Sequence, residues 1–213
     1  MAGKRRESNR EELKMRIVDT AAKAFKRLGI KAVHMDDIAG SLSISKRTLY
    51  ELFGDKEQLL LEVFSFYRQR VNQDMQELTS RADNVLEVVL TFYERKVNEL
   101  CQVNPLFFRD LRKYPKVLDF IHEEQRRNDA DAVKYFQKGV EQGIFRDDIN
   151  FLIINQTMAM QMDLLIYSDI TLHYPLAEIY SEITILHMRG ITTEKGNRMV
   201  DEFLKNIRER RQG

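Results

Sequence analysis

Only three prolines and nine glycines interrupt the 213 residues of this chain, and that scarcity constrains its fold more than any single motif. Leu, Glu, Lys, Arg and Met are abundant, and long stretches without a breaker favour helix over sheet because those side chains lose little freedom on a helix. The expectation is an all-α chain. With 43% hydrophobic and 31% charged residues, there is enough apolar material for a core, so disorder is not the main theme. Pro105, Pro115, Gly143 and Pro175 punctuate helical patterns over residues 57–79, 84–103, 106–113, 117–142, 151–167, 176–189 and 195–210.

Charge is unevenly distributed. Through Lys56 there are 13 Lys+Arg against 8 Asp+Glu, whereas the remainder carries 21 against 25, so a net +1 conceals a basic N-terminal end. Residues 11–28, EELKMRIVDTAAKAFKRL, place Leu13, Ile17, Ala21, Ala24, Phe25 and Leu28 on one helical face. Gly29 follows, where a left-handed residue ends a helix cheaply. A short second helix runs from Met35 to Leu42, with Met35, Ile38, Ala39 and Leu42 apolar and His34 in the N-cap position.

Residues 43–64, SISKRTLYELFGDKEQLLLEVF, carry the chemistry. Ser45 is suited to cap a helix that Gly54 ends. Leu49, Leu52 and Phe53 share one face of it, which directs Arg47, Tyr50 and Glu51 away and sets Lys46 and Thr48 on the flanks. Two short helices joined by a tight turn describe a helix-turn-helix whose second helix can enter a DNA major groove. Lys46 and Arg47 stand at its N-terminal end, where a guanidinium can pair with guanine O6 and N7. Thr48 and Tyr50 offer hydroxyls to phosphates. Asp55 and Gln58 have the spacing of an N-cap and its third helical residue, so a further helix begins at Lys56, whose charge and free amides suit a phosphate.

These stretches, IVDTAAKAFKRLG, then MDDIA, then SISKRTLYELFGDKEQL, resemble the DNA-binding region of the TetR family of bacterial transcriptional regulators, over about residues 13–64. The resemblance implies a recognition helix carrying Lys46, Arg47, Thr48 and Tyr50 and a phosphate contact at Lys56, with Ser45 and His34 at helix caps facing DNA. Ser43 stands where that family usually has Gly, and His34 where Thr or Ser commonly caps the second helix. The implied architecture is a three-helix DNA-binding domain, residues 1–56, followed by a helical-bundle domain for effector binding and dimerisation, residues 57–213.

The second domain resembles the family in layout only. Its aromatics and methionines are mostly core material, but a bundle can leave a cavity among them. An apolar to amphipathic pocket is expected near Phe66, Phe92, Phe108, Met158 and Met162. Two late helices are too apolar for a solvated surface, and Ile154, Leu165, Ile179, Ile183 and Leu186 are expected to face a second copy. A two-fold dimer would present two recognition helices to a palindromic operator on double-stranded DNA.

No catalytic residues are expected, nor a cofactor. His122, Glu123, Glu124, Asp129 and Asp131 lack a metal-ligand spacing and suit a solvated helical face. The single Cys101 is expected to be a buried structural thiol, in a reducing cytoplasm. MAGKRRESNR leads into charged helix rather than a signal-peptide core, and Asn155, Gln156, Thr157, Gln161 and Asp163 would be costly in lipid, so no membrane crossing is expected. The function these features imply is a dimeric repressor released from its operator by a small molecule. The alternatives are a DNA-organising or division-linked protein without an effector, and a helical ligand carrier or enzyme.

Overall fold

The computed structural model describes residues 2–127 and 129–212, with side chains for 7–127 and 129–210. Among the described residues every regular element is helical: α1 (Ala2–Leu28), α2 (Met35–Ser41), α3 (Lys46–Phe53), α4 (Lys56–Arg81), α5 (Val85–Leu100), α6 (Leu106–Leu111), α7 (Pro115–Arg127), α8 (Asp129–Glu141), α9 (Phe151–Ala159), α10 (Gln161–Tyr167), α11 (Leu176–Ile191) and α12 (Glu194–Gln212). A single 3-10 turn, Ile170–Leu172, precedes α11. The all-α expectation holds, and none of these helices is long and apolar enough to cross a membrane. The prolines sit where they cost no helical hydrogen bond: Pro115 opens α7, and Pro105 and Pro175 flank the starts of α6 and α11.

The chain packs as two compact units, one comprising Met1–Val71 with Gln102–His122 and the other Asn72–Cys101 with Glu123–Gly213. In the first unit α6 docks on the end of α1. The Asn104 N–H donates to the Lys26 carbonyl at 2.8 Å and its side-chain amide to the Arg27 carbonyl at 3.3 Å, while Asp110 Oδ2 accepts from the Lys31 N–H at 2.6 Å. The first two bonds satisfy carbonyls that a helix end leaves open, and the third pairs a backbone N–H just beyond that end. Gly29, at φ +84°, lets this approach happen, since a Cβ there would lie 3.0 Å from Leu106 Cβ. Ile17, Ala21 and Phe25 on α1 are buried as their spacing predicts, but Leu28 is exposed. The chain turns at Gly29, and Ile30 and Val33 take the interior positions instead.

In the second unit α5 packs along α11, and α8 along α9. The core joins Val85, Leu86 and Leu90 of α5 to Phe136, Phe145, Phe151, Met188, Ile191 and Val200. The Phe136 and Phe151 rings stack at 5.0 Å, with Phe145 tilted 5.7 Å from Phe136. Past α8 the chain is stitched to the end of α11 by an antiparallel bridge between Phe145 and Thr192, with Arg146 N–H donating to the Ile191 carbonyl at 2.9 Å.

Two expectations about the second unit are corrected, and the burial of the expected interface residues is uneven. Leu165 and Ile179 are each only 5% exposed within the single chain. Helix α11 turns Leu176, Ile179, Thr184, Met188 and Ile191 inward at helical spacing, which carries Ile179 into the core. Ile154 likewise packs against the core, and Ile183 is half-buried, leaving Leu186 outermost at 72% exposure. The pattern expected to form one helix over residues 151–167 is divided at Met160, between α9 and α10. Cys101, expected to be buried, is exposed, because it caps the C-terminal end of α5 just beyond the last inward residue, Leu100.

Gly139 marks the tightest approach in this core: a Cβ built there would meet Phe145 Cδ2 at 2.1 Å and Val85 Cγ2 at 2.8 Å. Gly139→Ala should therefore lower unfolding free energy by about 1–3 kcal/mol through overpacking, read as a shifted midpoint in urea denaturation.

Candidate DNA-binding site

Helix α2 begins at His34, whose backbone is extended (φ −101°, ψ 154°) and whose N–H donates to Asp37 Oδ2 at 2.9 Å. That carboxylate, in the first turn, satisfies a donor and suits the positive end of the helix. Met35, Ile38 and Ala39 are buried beneath α2, and Leu42 is half-buried. His34 itself is exposed, so its ring is free of the core.

The turn between α2 and α3 depends on an unusual residue. Ser43 has φ +54°, the only non-glycine described with positive φ, and its N–H donates to the Gly40 carbonyl at 3.1 Å while the Ile44 N–H donates to the Ala39 carbonyl at 3.1 Å. These bonds close the C-terminal end of α2 and reverse the chain into α3. A Cβ in this region crowds the following carbonyl, which is why the position Ser43 occupies favours glycine.

Ser45 then caps α3. Its hydroxyl accepts from the Thr48 N–H at 3.0 Å and lies 2.8 Å from the Thr48 hydroxyl. Leu49 is fully buried and Phe53 is 3% exposed, so α3 is held by that face, and Lys46, Arg47, Tyr50 and Glu51 are exposed. Gly54, at φ +68°, returns its N–H to the Tyr50 carbonyl at 2.8 Å and ends the helix. Asp55 caps α4, accepting from the Gln58 N–H at 2.8 Å, as its spacing in the sequence predicts. Lys56 follows, half-buried, with its Nζ 5.8 Å from the centre of the Phe25 ring.

The two leading cations on α3 have acidic partners. Lys46 Nζ donates to Asp36 Oδ2 on α2 at 2.5 Å, and that bond and its charge hold the ammonium above its ordinary pKa. Arg47 Nε donates to Glu51 Oε1 at 2.7 Å, one turn along. Both pairs are exposed and contribute little to stability. Burial lowers the pKa of Lys56, partly offset by Asp110 and Asp37. The resulting surface carries exposed cations and hydroxyls on a short rod braced from behind. Sequence reasoning passed over Asp36 and Glu51 as partners of these cations, although the spacing of Arg47 and Glu51, four residues apart, is a signal for such a pair.

A profile of known proteins described as "Bacterial regulatory proteins, tetR family" matches residues 17–63, the span of this helix-turn-helix and its bracing helices. Residues 17–63 are thus similar to the DNA-binding domain of the TetR family of bacterial transcriptional regulators. Among curated relatives, the chain is 29% identical over 150 residues to the HTH-type transcriptional repressor KstR2 of Mycolicibacterium smegmatis, covering 67% of this chain and 70% of that one. It is 25% identical over 135 residues to the HTH-type transcriptional regulator YhgD of Bacillus subtilis, covering 60% and 67%. Among solved structures, a transcriptional regulator of Saccharomonospora viridis in complex with choline superposes with a TM-score of 0.66 at 20% identity, over 86% of this chain and all of that one. The ketosteroid regulator KstR2 of Mycobacterium tuberculosis gives a TM-score of 0.54 at 18% identity, over 85% and 95%. At such identities these structures establish a common fold.

The expected pocket residues are distributed over both units of this chain. Phe66 and Phe108 lie in the first. There Phe108 is buried edge-on against Phe107 at 5.3 Å, and Phe66 is half-buried with the Arg70 guanidinium 6.0 Å from its ring. Phe92, Met158 and Met162 lie in the second, all half-buried, Met158 against the aromatic core. An open groove of about 520 Å³ on the second unit is lined instead by Phe203, Asn206, Glu209 and Arg210 of α12. Among the described residues no group of three or more His, Cys, Asp and Glu is placed to hold a metal, and Asp129 accepts hydrogen bonds from Asn155 and Gln156 at 2.8 and 3.0 Å.

Ser43→Gly should relieve the left-handed strain in the turn and raise stability by about 0.5–1 kcal/mol. Chemical denaturation checks this, and base preference in DNA binding should be unchanged.

Proposed function

We propose that this chain is a TetR-type homodimeric repressor of the cytoplasm that binds a palindromic operator through α3 and is released by a small apolar to amphipathic effector held in residues 57–213. The observation that carries the reading is the division of α3 into a buried Leu49–Phe53 face and an exposed face bearing Lys46, Arg47 and Tyr50. Arg47 and Lys46 read base edges. Ser45, Thr48, Tyr50, His34 and Lys56 engage the phosphates on either side. Residues 1–56 supply the DNA-binding motif, and the remainder supplies effector binding and dimerisation.

Several observations favour the dimer and the effector. Leu152, Ile153, Met160, Tyr167, Leu172, Tyr174 and Leu186, all from residues 151–191, are large apolar side chains left exposed by the single chain, a concentration that a second copy would cover. Gln161 Nε2 and Thr184 Oγ1 are buried without a hydrogen-bond partner among the described residues, and an effector with polar groups amid an apolar body would satisfy such atoms. Proteins of similar fold include a ketosteroid regulator, a γ-butyrolactone receptor and a regulator in complex with choline, which supports a small organic effector without choosing among such chemistries. Release then follows if the effector binds more tightly to a dimer whose two α3 helices are wrongly spaced for DNA, and the shift can be no larger than that difference in affinity.

Arg47→Ala should weaken sequence-specific binding by about 1–3 kcal/mol, whereas Lys56→Ala should weaken binding to every duplex alike and reduce the salt slope by about one. Gel-shift titrations over a range of salt measure both, and wild-type affinities in both variants would remove the mechanism. Leu186→Glu should raise the dimer dissociation constant at least about tenfold, since a carboxylate would be desolvated at each copy of the contact, and analytical ultracentrifugation reads it. A dimer of wild-type stability would place the interface elsewhere.

A further inference from the structure

A carboxylate on a surface that must meet a polyanion weakens binding to all nucleic acid, yet Glu51 stands exposed on α3 beside Arg47. Its contribution to the helix is too small to explain that placement. An exposed i,i+4 ion pair stabilises little, and the cation-first order found here is the less favourable one. The geometry of the pair is more informative. Glu51 Oε1 takes the Nε–H of Arg47 at 2.7 Å, on the inner edge of the guanidinium. Nη1 and Nη2 make no hydrogen bond among the described residues, and the Arg47 side chain is 87% exposed. The two free nitrogens are the end-on fork that matches guanine O6 and N7. Lys46, by contrast, has its ammonium drawn toward Asp36 on α2 and has no planar fork to offer.

We infer that Glu51 is a specificity-determining positioning residue: by holding Nε it aims the outer fork of Arg47 at one guanine per half-site, while its negative charge weakens binding to all duplexes alike. This rests on the proposed role of α3 in DNA recognition. The discrimination arises from preorganisation: fixing the guanidinium before contact removes the freedom that would otherwise be lost in forming two parallel hydrogen bonds. The carboxylate's charge repels the backbone of every duplex equally, which lowers affinity throughout and leaves base preference unchanged.

The test uses the full-length chain and an operator obtained by selecting from random-sequence duplexes with the wild-type protein. Each position of that operator is then substituted, and a scrambled duplex of the same length serves as the non-specific probe. Arg47→Ala identifies the base pair that Arg47 reads. Glu51→Ala should lower discrimination for guanine at that same base pair by about fivefold or more, while tightening binding to the scrambled duplex a few-fold. Glu51→Gln keeps an acceptor for Nε and removes the charge, so it should tighten non-specific binding similarly but retain most of the guanine preference. A residue that merely stabilised α3 would weaken binding to all duplexes together and leave base preference unmoved. Circular dichroism confirms that each variant is folded. If Glu51→Ala keeps full guanine preference while Arg47→Ala loses it, the positioning role is wrong and the recognition role of α3 stands. If Arg47→Ala matches the wild type on every duplex, both fall.

Discussion

The burial of Leu49 and Phe53 is the contact on which the DNA-facing half of this protein depends. An isolated helix of eight residues is unstable in water, so α3 exists because the first unit's core holds one face of it. That core, including Ile17, Ala21, Phe25, Ile38 and Ala39, does more than supply apolar area. A helix fixed by two residues four apart has its rotation about its own axis fixed too. Once Leu49 and Phe53 point inward, Arg47, Tyr50 and Glu51 point outward. Stability and display of the site therefore share one cause.

The turn and the caps refine what that burial permits. Ser43 at φ +54° and the Ser45 cap set the angle and the first residue of α3, and Gly54 ends it while Asp55 caps α4. Asn104 and Asp110 tie the far end of α1 to α6, which makes the segment from Gln102 to His122 part of the same packed body as the helix-turn-helix. Helix α4 supplies residues to both compact units. The DNA-binding motif is thus part of a packed unit that extends beyond it to include residues 102–122.

Legibility was high wherever a local rule acts alone. The buried positions of α2 and α3, the caps at Ser45 and Asp55, and the ends at Gly29 and Gly54 follow from helical period and from which residues accept a hydrogen bond or adopt positive φ. It was lower where two apolar stripes compete for one core. On α11 either stripe could have turned inward, and nothing local chooses between Ile179 and Leu186; packing against α5 decided it. Leu28 and Cys101 were misplaced for a related reason: each stands next to a helix end, where one residue of overshoot moves a side chain from core to water.

The amino-acid sequence alone determined that the chain is helical, that its N-terminal segment forms a helix-turn-helix, and which face of α3 carries the cations, because these depend on period, capping and charge within a dozen residues. Tertiary structure decided which stripe of each late helix is interior, that Ser43 bears the left-handed turn, and that Lys46 is drawn to Asp36, ten residues away. Those outcomes depend on distances between elements, and a linear pattern constrains such distances only after the helices have been packed against one another.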